Sequence, residues 1–84
     1  MATEKRGFRE WKALTMVTLV TLAQKYPERR PTIESLAARL QHLKARDLTQ
    51  FLFQLHLLSY DVPEAAGLIP SADEVERWLK GDEE

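Results

Sequence analysis

Eighty-four residues make one domain, and the chain has no cysteine, which excludes disulfide frameworks and cysteine-based zinc or redox sites. At 44% hydrophobic and 30% charged residues the composition is that of a globular chain rather than a disordered one. The net charge of −1 conceals a division: residues 1–46 carry ten Lys and Arg against four Asp and Glu, and residues 47–84 carry two against nine. A chain divided in this way can offer a basic face to a polyanion, or pair its two halves within one copy or between copies.

The charge-free stretch Ala13 to Gln24 falls short of the about 20 apolar residues that span a bilayer. Glu4, Glu10 and Trp11 interrupt any secretory signal pattern. We therefore expect a single helical domain over 1–84, cytoplasmic and away from membranes, with frayed ends at 1–6 and 81–84.

The first expected helix runs from Phe8 to Lys25 and stops before Tyr26-Pro27, because a residue preceding proline avoids the helical region. Its apolar residues, Leu14, Met16, Val17, Leu19, Val20 and Leu22, surround the axis instead of forming one stripe. Such a helix is central to a bundle or buried against a partner. Its β-branched content makes a strand the competing assignment; its length and lack of strict alternation favour helix.

After the turn at Pro27–Pro31, Thr32 is the expected N-cap of a second helix, with Ile33, Leu36, Leu40 and Leu43 on one face and Ala37 beside them. Asp47-Leu48-Thr49-Gln50 reads as a variant capping box opening a third helix, with Leu48, Phe51, Leu52, Leu55 and Leu58 inward and a second stripe of Phe53, Leu57 and Tyr60. A short helical turn begins at Asp61–Glu64 and ends at Gly67. Ser71-Ala72-Asp73-Glu74 opens the last helix, which buries Ala72, Val75, Trp78 and Leu79, runs through Lys80 and closes on Gly81. The expected fold is all-α, a compact bundle of four main helices plus a short helical turn. Its core includes Leu14, Val17, Leu36, Leu40, Leu52, Leu55 and Trp78.

No catalytic constellation is visible, and we expect neither an enzyme nor a cofactor or metal. His42 and His56 have no ligand-type residue at helical spacing beside them. The carboxylates Asp61 with Glu64 and Asp73 with Glu74 are accounted for by helix N-termini. Glycine-rich phosphate loops, nucleophile elbows and His-Glu zinc motifs are missing from the sequence.

The segment Thr32-Ile33-Glu34-Ser35-Leu36-Ala37-Ala38-Arg39-Leu40 resembles the first motif helix of helix-turn-helix regulators. The resemblance implies that Ala37 lets the next helix pack closely and that the helix from Leu48 is the recognition helix. Gln41 stands where that family has a turn glycine, and the turn from His42 to Arg46 is longer than its standard one. Arg46, Gln50 and Gln54, at i, i+4 and i+8, would align on a helix that started slightly early. Arginine suits guanine and glutamine suits adenine in the major groove. Arg29, Arg30, Arg39 and Lys44 would supply phosphate contacts.

The favoured expectation is thus a helix-turn-helix-like module in a nucleic-acid-linked process, binding DNA or RNA through its basic half. The alternative is a protein-interaction adaptor or a small subunit of a larger complex. It would self-associate, as a homodimer, through the first helix or through Phe53, Leu57 and Tyr60. A further alternative packs Phe53 and Tyr60 beneath the segment from Val62 to Ile69.

Overall fold

The computed structural model describes residues 6–81. Among them the chain is all-α and has no strand: α1 (Phe8–Lys25), α2 (Arg30–Gln41), α3 (Leu48–Leu58) and α4 (Ala72–Leu79), with 3₁₀ turns at Pro27–Arg29, Ala45–Asp47 and Pro63–Leu68. No helix among the described residues is long and apolar enough to cross a membrane.

α1 occupies the expected span and ends at Tyr26, whose non-helical backbone is what the following proline imposes. Its buried face is one stripe after all, formed by Phe8, Trp11, Thr15, Leu19 and Leu22 with Ala23 alongside. Leu14 (51% exposed) and Val17 (66%) lie on the opposite face, which corrects their expected place in the core. The tryptophan and phenylalanine of the first turns decide the rotation of the helix, because they carry the largest apolar area.

Those aromatics form the centre of the molecule. The ring of Trp11 lies 6.0 Å from Phe8, 6.1 Å from Phe51 and 5.6 Å from Trp78, joining α1, α3 and α4. Both indole N–H groups find backbone acceptors, Trp11 Nε1 on the Leu68 carbonyl at 2.8 Å and Trp78 Nε1 on the Arg6 carbonyl at 3.1 Å. Around this box pack Ile33, Leu36 and Leu40 from α2, Leu48, Leu55 and Leu58 from α3, and Val62 and Ala65 beyond them. No buried side-chain nitrogen or oxygen among the described residues lacks a hydrogen-bond partner.

Helix starts follow two different rules. At α4 the capping box is complete: Glu74 N donates to Ser71 Oγ at 3.2 Å, and Ser71 N donates to Glu74 Oε1 at 3.1 Å. At α2 and α3 the expected side-chain caps, Thr32 and Asp47, are not used. A 3₁₀ turn runs straight into each helix, so α2 starts at Arg30 and Thr32 lies inside its first turn. The preceding turn already curls the backbone there, and a cap has no place to act.

α4 ends at Leu79, and Gly81 has the positive φ (107°) that favours glycine after a helix. Trp78 alone of its expected stripe is fully buried; Val75 is half-buried, and Ala72 and Leu79 are exposed. Arg6, placed in the frayed start, is instead held at both ends. Its guanidinium pairs with Glu74 at 2.9 and 3.0 Å, and its carbonyl also accepts from Arg77 Nη2. The remaining residues of the two expected frayed ends, 1–5 and 82–84, lie outside the described residues.

Trp78→Ala should cost about 3–5 kcal/mol in equilibrium urea unfolding, enough to unfold much of a domain this small. Val17→Ala, on the outer face of the same bundle, should change the unfolding free energy by less than about 0.5 kcal/mol.

Candidate functional site

The surface with most of the expected binding residues runs along α3 and the groove between it and α2. The alternation of α3 is sharp. Phe51, Leu55 and Leu58 point inward and close on Val62 and Ala65, while Phe53 (57% exposed), Leu57 and Tyr60 (72%) point out. The segment Val62–Ile69 therefore covers the inner stripe of α3, and Phe53 and Tyr60 do not pack beneath it. The Tyr60 hydroxyl lies 3.3 Å from His56 Nε2, with the two rings edge to face.

Beside this ridge lies an open groove of about 460 Å³, lined on the α2 side by Arg29, Ser35, Leu36 and Arg39 and on the α3 side by Gln54, Leu57 and Leu58, with Asp61 at its end. The groove exists because α2 gives its close backbone approach to α1, not to α3. Ala37, the small residue expected to admit the recognition helix, faces Leu19, Val20 and Ala23 of α1 instead. Small side chains on both helices let their backbones come together there, and α3 is left apart.

The expected nucleic-acid residues divide into three places. Arg29, Arg39 and Gln54 meet in the groove. Arg30 turns to the α1 side, beside Gln24 and Val20, and pairs with Glu34 at 2.9 Å. Lys44 and Arg46 are exposed in the connection between α2 and α3, and Gln50 is exposed in the first turns of α3. Arg46 belongs to the 3₁₀ turn at Ala45–Asp47, so the helical register that would line it up with Gln50 and Gln54 does not extend to it.

Charge in the groove is partly neutralised. Arg29 pairs with Asp61 at 3.3 Å, whereas Arg39, Lys44 and Arg46 form no ion pair among the described residues. A second cross-link joins the halves of the chain nearby: Lys25 Nζ and Tyr26 Oη donate to the Glu64 carboxylate at 2.5 and 2.7 Å. Lys25's ammonium first, then Tyr26's hydroxyl, hold the Glu64 carboxyl at about 2. Sequence reasoning assigned Glu64 to a helix start and missed this role; its partners lie 38 and 39 residues away, beyond any local pattern.

The other features with chemical potential are accounted for structurally. Lys12 Nζ donates to the Leu43 carbonyl at 3.1 Å and sits 4.7 Å over the Phe8 ring, closing the end of α2. No cluster of His, Asp and Glu able to hold a metal ion occurs among the described residues. Comparison of the chain with protein-family models, curated proteins and solved structures finds no match.

Because Glu64 ionises more readily folded than unfolded, the unfolded chain binds more protons below the usual glutamate range, and stability rises with pH there. Its contribution should be complete above about 4.5 and be lost as the pH falls toward about 2. Carbon-13 titration of the side-chain carboxyl should place its midpoint near the lower figure, and Glu64→Gln should flatten the acid limb of a stability–pH curve.

Proposed function

We propose that this chain is a non-enzymatic docking module that takes an amphipathic helix of another protein along α3. The observation that carries this reading is the row of Phe53 and Leu57, exposed on a helix whose other face already completes the core, continued by Tyr60 in the turn that follows. Large side chains left in water beside a groove supply the anchoring area that helix-in-groove recognition uses, and aromatic residues dominate the energetics of such contacts. The occupant should be acidic beside its apolar face, since Arg39 opens onto the groove with no carboxylate of its own among the described residues. Gln54, half-buried in the same wall, would bond to exposed backbone or polar side chains at the edge of the contact.

A second reading, nucleic-acid binding in the manner of helix-turn-helix regulators, is favoured by one observation. Arg39, Lys44 and Arg46 are exposed cations without an ion pair among the described residues, and Gln50 is exposed in the adjoining turns of α3. Against it stand the exposed apolar Phe53 and Leu57 on the would-be recognition helix and the Arg29–Asp61 pair, which removes one phosphate contact.

A synthetic acidic amphipathic helix, with leucines at i, i+3, i+4 and i+7, is the probe for the first reading. Proton–nitrogen NMR should shift Phe53, Leu57, Tyr60 and Arg39 together, and Phe53→Ala with Tyr60→Ala should weaken binding by about tenfold or more while leaving the fold intact. Duplex and single-stranded DNA and RNA, titrated at two salt concentrations, probe the second. Tight binding that falls steeply with salt and depends on Lys44 and Arg46 would replace the protein-docking reading with the nucleic-acid one.

A further inference from the structure

The α3 surface leaves one large feature unused: the outer face of α1. Glu10, Leu14, Val17, Thr21 and Gln24 follow one another at spacings of four and three, the repeat of a helix–helix seam, and all are exposed. Val20 lies beside the seam and is also half in water. Its two threonines do not make it polar. Thr18 Oγ1 donates to the Leu14 carbonyl at 3.1 Å and Thr21 Oγ1 to the Val17 carbonyl at 3.2 Å, so both hydroxyls are satisfied within the helix and their methyl groups are left for contact. From Ala13 to Gln24 there is no charge at all; Lys12, just before the stretch, is turned away to the Leu43 carbonyl, so the seam itself runs from Glu10 to Gln24 with Lys25 next in the chain.

We propose that this face binds a second copy of the chain, α1 against α1, antiparallel about a two-fold axis near Val17. That arrangement is self-complementary. It sets Val17 against Val17, Leu14 against Val20 and Thr21, and the Glu10 end of each helix against the Gln24–Lys25 end of the other. An isologous pairing of this kind needs one patch that matches itself under rotation, and Glu10 at one end of the seam with Lys25, which also holds Glu64, at the other meets that condition. A parallel pairing would instead stack Glu10 on Glu10 and Lys25 on Lys25. The seam is about 21 Å long, some fourteen residue steps of helix, so the contact is small and the dimer dissociates readily. The proposal is independent of the α3 reading; the dimer would carry two copies of the α3 surface, whatever that surface binds.

Sedimentation equilibrium on the full chain, from low micromolar to about millimolar concentration, tests it. The unaltered chain should dimerise. Val17→Arg, which sets two cations against each other on the axis, should leave a monomer with unchanged circular dichroism. Glu10→Lys and Gln24→Glu should each weaken the dimer, by up to about tenfold for two symmetry-related contacts. Together they should restore it, because Gln24 has no intramolecular ion pair to lose and the exchanged charges face each other again. A chain that stays monomeric at the highest concentration overturns the proposal, as does a dimer indifferent to Val17→Arg. Failure of the double variant to recover, with its fold intact, overturns the antiparallel register.

Discussion

Two buried indoles, each with an N–H that must find an acceptor, set the shape of this domain. Burying Trp11 and Trp78 brings a large apolar gain but would leave two donors unpaired, and in each case a backbone carbonyl far away in sequence answers the need. Leu68 supplies one from the 3₁₀ segment, and Arg6 supplies the other from just before α1. The position of the loop before α4 and the entry of the chain into α1 are thus both consequences of where the tryptophans lie. Phe8 and Phe51 complete the box, and the leucines of α2 and α3 fill the space around it. Because so much of the core is spent at this end, α1 has only one face committed and its other face is left to solvent.

The opposed charges of the two halves meet at three places among the described residues. Arg6 with Glu74, Lys25 with Glu64 and Arg29 with Asp61 each join a residue of the basic half to one of the acidic half. Exposed pairs contribute little individually, yet these three fix which acidic side chain meets which turn, and Glu74 serves at once as the partner of Arg6 and as a member of the α4 capping box. What remains without an ion pair among the described residues of the basic half is Arg9 and Lys12 in the first turns of α1 with Arg39, Lys44 and Arg46 at and beyond the end of α2.

Much of the fold is legible in the sequence where a signal is local. The span of α1 follows from Tyr26-Pro27, and the Ser71–Glu74 box and Gly81 mark α4 at both ends. The second stripe of α3 can be read from spacing alone, although spacing does not say whether it is covered. Where the signal depends on packing, the sequence misleads. Thr15 is a polar letter at the centre of the buried stripe of α1, so the stripe is hidden and Leu14 and Val17 take its place in a reading by hydropathy. Thr32 and Asp47 have the chemistry of caps, but 3₁₀ turns lead into α2 and α3 and leave those side chains without the task. Ala37 suits close helix approach, and only the assembled bundle decides that α1 makes it. Within the candidate site, the exposure of Phe53 and Tyr60 accords with the sequence pattern, whereas the separation of Arg30 from Arg29 and Arg39 depends on which side of α2 each falls.

The contact between Trp78 and Arg6 spans 72 positions, and it has a bearing on how the chain comes to be folded. The aromatic box cannot close until α4 exists, so on a ribosome α1 is made before α4 and waits for it. During that interval Phe8 and Trp11 are in water on one side of the helix and Leu14 and Val17 on the other. Loop-closure entropy must be met before the long-range contact gives anything back, and that places its formation late on the path. Until α4 is made, α1 therefore carries apolar side chains on both faces without cover, the kind of surface that chaperones hold and that crowded chains aggregate through.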